Sequence, residues 1–257
     1  MVLKFSKANA KLTRLEDKVG KKLYSFALPS GYSCPFAEKC LSKVVIDKST
    51  GKKKLVDGPK TEFRCYSASQ EVLYPTVYNL VNHNFNLLRQ YEKSGGLNGL
   101  IDIISKSIPK NAGIIRIHES GDYYNPTYFK AWCIVAKNNP GIRFYSYTKS
   151  IPYWRDNIHL IPANLKLTAS YGGRADGLIE LNNLPNVQVV YSQYEARKLK
   201  RPIDKTDYHA YNGTPKFSLL IHNSQPKGSK ASKAWQRVKS TSGGYSRKKK
   251  DSQKVGV

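Results

Sequence analysis

Three cysteines lie in loop-like segments of the chain and could together hold a metal. Cys34 and Cys40 stand in the segment GYSCPFAEKC, and Cys65 stands in FRCYSASQE, just before a long helical pattern. Cys133 differs because it stands in KAWCIVAK, the interior of a predicted helix, where a free cysteine usually belongs to the core. We therefore assign Cys34, Cys40 and Cys65 as candidate metal ligands.

The spacing of these cysteines favours an iron–sulfur cluster over zinc. Structural zinc sites use four nitrogen or sulfur ligands, usually with a C-x2–4-C pair, whereas five residues separate Cys34 from Cys40 and no fourth ligand is evident. Three thiolates suit a four-iron, four-sulfur cluster with one open iron, or a three-iron cluster. We prefer the four-iron cluster. Zinc completed by a histidine is the alternative metal, and a nucleophilic thiol or three unrelated cysteines are the other interpretations.

Polar side chains follow the predicted strands at the point where each strand ends. The densest set is HESGD, directly after the buried strand predicted over 113–118. Ligand sites of parallel α/β folds lie beyond the carboxyl ends of the strands, so these side chains are expected to meet there. Asp122 has a structural alternative as a helix cap. The candidate catalytic residues are Glu119, Asp122 and Lys149, the carboxylates to bind or deprotonate a substrate and the lysine to meet an anion, and the candidate cofactor-binding residues are His118, Ser120 and Arg174.

The elements that must position these residues alternate between helix and strand. Helical periodicity covers 68–93 and then GLNGLIDIISKSI, and a further helix is predicted over 125–139 from its Asn-Pro start. Short apolar strands are predicted over 113–118, 142–148, 165–171, 187–192 and 216–223. Such alternation is typical of parallel βα units whose sheet is covered on both faces. We predict an α/β fold with a partial or complete barrel-like core, in preference to an open sheet.

The domain organisation follows from composition. We expect a single α/β domain over 1–223, with a cysteine loop near its N-terminus and a charged hairpin near 43–62, and a disordered basic tail over 224–257. The tail has ten Lys and Arg against one Asp and almost no periodic apolar residues, so it cannot offset its chain entropy by burial. Its Trp235 and Tyr245 suit stacking on single-stranded bases, and a merely solubilising tail is the alternative.

The net charge is the second global feature. The chain has 43 Lys and Arg against 18 Asp and Glu, a formal charge of +25. Such a surface attracts polyanions, so nucleic acid is the leading partner, and a simply solvated surface is the alternative. No stretch approaches the roughly 20 apolar residues that span a bilayer, so no membrane partner is expected. We expect a cytoplasmic protein with reduced thiols, which favours a metal site over a disulfide.

Four motifs, taken in order, resemble a known protein family. SCPFAEKC, CYSASQE, RIHESGDYYNPTYFKAW and FYSYTKS together resemble the phage family called gene product 88, over about residues 22–222. This resemblance implies a phage or prophage origin, and therefore the cytoplasm of an infected host cell as the location.

The cysteine loop ahead of a βα array is also similar to the arrangement in radical S-adenosylmethionine enzymes. In those enzymes three cysteines hold a four-iron cluster whose open iron binds the cofactor. The present chain departs from their C-x3-C-x2-C loop and from their glycine–glycine–glutamate motif, although Glu119 and Asp122 stand where such carboxylates could act. The likeness implies S-adenosylmethionine as a candidate cofactor and redox or radical chemistry. The rival interpretation is a nucleic-acid-binding protein with a structural zinc site and a basic tail.

Overall fold

The computed structural model of the protein describes residues 1–222 and 225–242. Within these ranges the strands are β1 (Ser6–Lys7), β2 (Leu23–Ser25), β3 (Ser42–Ile46), β4 (Lys53–Asp57), β5 (Ile114–Ile117), β6 (Arg143–Thr148), β7 (Leu165–Ser170), β8 (Asn186–Val190) and β9 (Lys216–Leu220). The helices are α1 (Ala10–Val19), α2 (Tyr66–Leu73), α3 (Pro75–Ser107), α4 (Pro126–Lys137), α5 (Ile151–Asp156), α6 (Gly177–Leu181), α7 (Gln193–Lys198), α8 (Tyr208–Asn212) and α9 (Lys230–Ser242).

Seven of the strands form one mostly parallel sheet in the order β1-β2-β5-β6-β7-β8-β9. Only β1 runs antiparallel, and from β2 onward each strand pairs with the next strand of the sheet in chain order. The α/β class predicted from the sequence is therefore confirmed. The barrel-like core is not confirmed, because β1 and β9 are the two edges of the sheet and no ladder joins them in the described part of the chain.

The two faces of the sheet carry different residues because successive side chains of a strand point to opposite faces. In β5, Ile115 and Ile117 pack with α3 and α4 in the largest apolar cluster. Ile114 packs on the opposite face with α1 and α8. Arg116 lies two residues after Ile114 and therefore shares that second face, which we call the α1 face.

The helices begin and end largely where local sequence signals predict. Asn125 caps α4 by accepting a hydrogen bond from the Tyr128 amide at 2.8 Å, and Pro126 is the first helical residue. Gly96 has φ +55° and breaks α3 at the junction of the two predicted helical patterns. Cys133 is buried in α4, as its position in the helix interior predicts.

In the described ranges no helix combines the length and the apolar composition that crossing a membrane requires.

The strands β3 and β4 pair with each other as a separate antiparallel hairpin. They lie within the segment in which the sequence predicts a charged hairpin. Arg64, which follows the hairpin, forms an ion pair of 2.5 Å with Asp57 at the end of β4. This contact ties the hairpin to the segment that leads into Cys65 and α2.

The predicted disordered tail is wrong over part of its length. Residues 230–242 form α9, in which Ala231, Ala234 and Val238 are buried against β8, β9 and α7. These small apolar residues recur at i, i+3 and i+7, a helical stripe that is easily missed among the surrounding lysines. Residues 224 and 243–257 of the predicted tail, including Tyr245, lie outside the described residues.

The docking of α9 predicts a position-dependent effect on stability. Val238→Asp places a carboxylate at a side chain that is 6% exposed, so we expect it to lower the free energy of unfolding by about 1–3 kcal/mol. Gln236→Asp is the matched control, because Gln236 is exposed on the same helix and surface substitutions usually cost under about 0.5 kcal/mol. Urea denaturation of both variants measures the difference. Equal stability of the two variants would contradict the docked helix.

Candidate functional site

A cavity of about 770 Å³ opens at the carboxyl ends of the parallel strands and continues onto the α1 face. We call it the strand-end cavity. The loop between β2 and β3, the start of α2 and the ends of β5, β6 and β7 surround it, while Val189 of β8 and Leu219 of β9 line its continuation. All but one of the predicted site residues line this cavity, namely Cys34, Cys40, Cys65, His118, Glu119, Ser120, Asp122 and Lys149. The exception is Arg174, which is not among the described lining residues.

The three candidate ligand cysteines reach this cavity as free thiols. Burial raises the pKa of the Cys34 thiol well above its usual value, and the negative charges of Asp122, Cys65 and Cys40 raise it further. Burial and the neighbouring Cys40 raise the pKa of Cys65 to about 11. The thiols are therefore close enough to oppose each other's ionisation, and a cation between them would reverse that effect. Among the described residues, however, no three His, Cys, Asp or Glu side chains are arranged to hold a single metal ion.

The cysteine loop, residues 31–41, is held against the end of β7. The amide of Lys39 donates to the carbonyl of Gly172 at 2.9 Å, and the amide of Arg174 donates to the carbonyl of Phe36 at 2.9 Å. A Cβ atom on Gly173 would lie 2.9 Å from that same Phe36 carbonyl oxygen. The absence of a side chain at Gly173 therefore lets the cysteine loop approach the sheet closely.

Arg174 acts on the cysteine loop rather than on the cavity. Its side chain is exposed, and its guanidinium donates a hydrogen bond to the carbonyl of Pro35, next to Cys34. The predicted role in cofactor binding would require it to line the cavity. Its position in the structure instead suits a residue that fixes the loop from outside.

Glu71 of α2 links the cysteine loop to Cys65. Its buried carboxylate accepts hydrogen bonds from the amide and the hydroxyl of Ser30, at 3.0 and 2.6 Å. The Sγ atom of Cys65 lies 3.7 Å from that Ser30 hydroxyl oxygen. Burial raises the pKa of Glu71, while the hydrogen bonds from Ser30 oppose that rise. This buried contact places the N-terminus of α2, where Cys65 is the cap residue, beside the loop.

Asp122 joins the ends of β5 and β6. It is 5% exposed, and it accepts hydrogen bonds from the Tyr123 amide, the Thr148 hydroxyl and the Lys149 amide, at 2.8, 2.6 and 2.7 Å. Burial raises its pKa, and the hydrogen bonds from Thr148 and the backbone oppose that rise. Asn125, not Asp122, caps α4. Asp122 therefore lies at the cavity as an oriented acceptor.

Lys149 differs from its predicted role. Its Nζ atom donates to the carbonyl and the hydroxyl of Ser170 and to the carbonyl of Tyr171, at 3.1, 2.7 and 2.9 Å. An ammonium group has three N–H donors, so these acceptors use all of them. The lysine therefore fastens the end of β6 to the end of β7, and the anion contact predicted for it would require breaking these bonds.

Glu119 and Ser120 connect β5 to neighbouring segments. The carboxylate of Glu119 accepts hydrogen bonds from the side-chain amide of Asn9 and from the Ser25 hydroxyl, both at 2.5 Å. The backbone carbonyl of Glu119 accepts a hydrogen bond from the Tyr66 hydroxyl. Ser120 donates its hydroxyl to the Leu28 carbonyl at 2.7 Å. Both predicted residues lie at the cavity, and both are already hydrogen-bonded within the protein.

His118 has an unusual backbone and an unpartnered nitrogen. Its backbone φ is +63°, a conformation that residues other than glycine adopt only at an energetic cost. Such backbone conformations often mark functional sites. Its Nε2 atom lies 3.1 Å from the Tyr128 hydroxyl, whereas Nδ1 has no partner among the described residues. Burial lowers its pKa to about 3, so the imidazole is neutral near pH 7.

The sequence analysis missed a buried charge cluster on the α1 face. Asp207 is fully buried, and its carboxylate contacts Lys11 Nζ at 2.5 Å and Arg116 Nη1 at 2.7 Å. The hydroxyls of Tyr145 and Tyr147 also donate to it, at 3.3 and 3.0 Å. We call these five residues the Asp207 cluster. Arg116 could have been noticed, because an arginine inside the apolar run IIRI needs a buried partner.

The predicted nucleic-acid partner stays a prediction. Residues 225–242 contain no Asp or Glu, and their cations are exposed, with Lys239 and Trp235 at the edge of the strand-end cavity. A cationic surface of this kind attracts polyanions. The exposed cations are Lys227, Lys230, Lys233, Arg237 and Lys239.

The packing of the cysteine loop predicts that Gly121 cannot be replaced without loss. Gly121 has φ +79°, and an added Cβ would meet the Ser33 hydroxyl and lie 2.6 Å from the Leu28 Cβ. We expect Gly121→Ala to cost more than about 1 kcal/mol of stability and to displace the loop beside Cys34. Gly141→Ala is the control, because an added Cβ there meets no atom within 4 Å. Thermal unfolding compares the two, and equal melting temperatures would contradict the packing.

The Asp207 cluster predicts a dependence of stability on pH. Burial would raise the pKa of Asp207, but Arg116 and Lys11 overcome that effect and lower it from 3.8 to about 2. Because the folded pKa lies below the unfolded value, ionised Asp207 stabilises the fold at neutral pH, and this contribution is lost as the pH falls through about 2.

Asp207→Asn removes the buried negative charge that Arg116 and Lys11 share, so we expect it to cost about 3–5 kcal/mol near pH 7. The free energies of unfolding of the two proteins should converge as the pH is lowered from about 4 towards 2, across the pKa interval of this carboxyl. Denaturation at a series of pH values measures this. A stability difference that does not change with pH would show that the charge of Asp207 is not what stabilises the fold.

Comparison with known proteins confirms the resemblance noted in the sequence. The gene product 88 family model matches residues 3–240. The chain is 29% identical over 132 residues to the Gene 88 protein of Mycobacterium phage L5, which is 49% of this chain and 47% of that protein. It is 28% identical over 135 residues to the Gene 88 protein of Mycobacterium phage D29, with the same two shares.

The chain thus spans about half the length of these curated relatives, both of which are phage proteins. No solved structure matches it significantly. The family match covers nearly the whole described chain, including the cysteine loop, the strand ends and most of α9. This protein therefore belongs to the gene product 88 family.

Proposed function

We propose that this protein binds an iron–sulfur cluster, preferably of four irons, through Cys34, Cys40 and Cys65, and that redox or radical chemistry takes place in the strand-end cavity. One observation carries the proposal. Three cysteines from two separate segments line one cavity together with the strand-end polar residues, whereas the fourth cysteine, Cys133, is buried in the core.

The number of thiols supports a cluster over zinc. Three thiolates would leave one iron of a four-iron cluster without a protein ligand. A structural zinc site would need a fourth nitrogen or sulfur ligand besides the three cysteines. Zinc is the alternative occupant, and S-adenosylmethionine is the first cofactor to test on the loaded protein.

The electrostatics of the thiols also support a cationic occupant. Burial and mutual repulsion raise the pKa values of Cys34 and Cys65, so without a partner charge these thiols stay protonated near pH 7. A bound metal deprotonates a coordinating thiol, because its positive charge outweighs the burial penalty. Each thiol would therefore release its proton on loading. The contacts of Arg174 and Glu71 hold the two cysteine segments in place for this step.

The bound cluster would supply electron-transfer chemistry, and the protein would supply orientation and a sheltered space. His118 lines the cavity as a neutral imidazole, because burial lowers its pKa to about 3, and its Nδ1 atom is buried without a partner among the described residues. Asp122 is held by three donors and presents a fixed carboxylate. Apolar side chains of α3, namely Val77, Leu80 and Val81, line another part of the cavity.

The metal content of cysteine variants tests the proposal. We expect protein purified without oxygen to contain iron and acid-labile sulfide and to absorb visible light. Cys34→Ala, Cys40→Ala and Cys65→Ala should each lose most of the iron, because a missing thiolate leaves the cluster with too few ligands. Cys133→Ala is the matched control and should keep it, since Cys133 lies in the core. Iron, sulfide and zinc analysis with absorption spectra measures the outcome.

Two results would contradict the proposal. Zinc without iron would assign the site to a structural metal and favour the nucleic-acid interpretation. Folded, metal-free protein after anaerobic preparation and attempted reconstitution would mean that the three thiols do not form a metal site. Equal iron loss from all four cysteine variants would assign the effect to folding, and circular dichroism of each variant identifies that case.

A further inference from the structure

The lining of the strand-end cavity is cationic. The cavity lining contains six Lys and Arg side chains against two carboxylates, Glu119 and Asp122. Asp207 and Asp57 lie behind the lining and pair with some of these cations, and an excess of positive charge remains after both are included. The cationic side chains are Lys7, Lys11, Arg64, Arg116, Lys149 and Lys239.

Arg116 is the most deeply buried of these cations that still has an unused donor. It is 8% exposed and lines the cavity, and its Nη1 atom contacts Asp207 at 2.7 Å. Its Nε atom is buried and has no hydrogen-bond partner among the described residues. A guanidinium has five N–H donors in one plane, and its preferred partners are the paired oxygens of carboxylates and phosphates. The part of the Arg116 side chain that remains accessible, 10% of its surface, is what a molecule in the cavity would contact.

The charge on Arg116 is not fully cancelled by Asp207. Lys11 contacts the same carboxylate at 2.5 Å, so two cations share one anion. The hydroxyls of Tyr145 and Tyr147 donate to that carboxylate as well, so its two oxygens are shared among four donor side chains. Glu119 is a further carboxylate within electrostatic range of Arg116, and its oxygens already accept hydrogen bonds from Asn9 and Ser25.

Tyr66 connects this cationic region to the cysteines. Tyr66 follows Cys65 directly in the chain and lines the cavity. Its hydroxyl donates a hydrogen bond to the backbone carbonyl of Glu119, three residues after Arg116 in the chain. Cys65, Tyr66 and Arg116 all line the same cavity.

We propose that the strand-end cavity binds a small molecule carrying an oxyanion, a phosphate or a carboxylate, and that Arg116 recognises that group with Lys11 beside it. This inference rests on the proposed function only in the role of the bound molecule, which would be a substrate or co-substrate of the chemistry that the cluster supplies. The volume of about 770 Å³ lies within the range of small-molecule sites, and the apolar side chains Val189, Leu219 and Ile221 would contact the rest of the molecule.

Three simple aromatic compounds test the ligand class. Phenyl phosphate and benzoate carry the two oxyanions on the same ring, and phenol carries the ring without an anionic group near pH 7. We expect at least one of the two anions to bind, and phenol to bind at least 10-fold more weakly, since charged hydrogen bonds contribute more than neutral ones. Isothermal titration of the full chain measures each. The anion that binds more tightly identifies a phosphate or a carboxylate as the recognised group.

Variants of Arg116 test the residue. We expect Arg116→Met to weaken binding of the preferred anion by about 10- to 100-fold, because a hydrogen bond to a charged group contributes a free energy of that size. Arg116→Lys should restore part of this loss, because it keeps the charge without the planar donors. Arg143→Met is the matched control, since Arg143 lies in the neighbouring strand β6, donates to the carbonyl of Ala163 and is outside the cavity lining.

Removing only one partner of a buried ion pair can unfold a protein, so a second variant is needed. Arg116→Met combined with Asp207→Asn removes both charges of the pair and should fold while still losing the anion. Anion binding that is unchanged in this double variant would overturn the inference. Equal binding of phenol and the anions, or no binding of any of the three, would also overturn it.

The iron measurement and the anion measurement fail independently. Arg116 is not a candidate cluster ligand, so its variants should keep the iron content of the unchanged protein. Cys65→Ala should lose iron and still bind the anion. Anion binding to protein that never holds iron would support this inference and contradict the proposed function. Iron-containing protein that binds no anion would support the proposed function and contradict this inference.

Discussion

The close approach of the cysteine loop to the ends of the parallel strands is the constraint on which the rest of the site depends. Gly121 and Gly173 permit this approach, because a Cβ atom at either position would collide with the loop or with the chain leading into it. Without that contact, Cys34 and Cys40 would not face the strand ends of β5, β6 and β7. The cavity, the thiols and the polar residues after β5 therefore form one unit that any ligand would meet together.

Hydrogen bonds among the strand-end residues explain why so many polar groups can be buried at one place. Asp122, Lys149, Glu119 and Ser120 are each satisfied by partners in neighbouring segments. Buried polar groups that pair with each other keep their cost low and fix the positions of the elements that carry them. His118 Nδ1 and Arg116 Nε, by contrast, are buried without a hydrogen-bond partner among the described residues.

The Asp207 cluster plays a comparable role on the α1 face. Asp207 precedes α8, Lys11 belongs to α1, and Arg116 belongs to β5, so one carboxylate holds two helices and a strand together. Removing Asp207 leaves the buried guanidinium of Arg116 without its ion-pair partner. The same arrangement gives the cavity a cationic wall, which connects the stability of this face to the kind of molecule the cavity can accept.

The sequence by itself determined the fold class, the start of α4, the break at Gly96, the burial of Cys133 and the set of polar residues after the strands. These features depend on residues that are close together in the chain, because such residues set the hydrophobic periodicity, the helix caps and the strand ends. Only the tertiary structure decided that Arg116 meets Asp207, that the protons of Lys149 are used by Ser170 and Tyr171, and that α9 docks on the sheet. Those contacts join residues far apart in the chain, and the pairing of charges and donors depends on how the packed elements approach one another rather than on residue type.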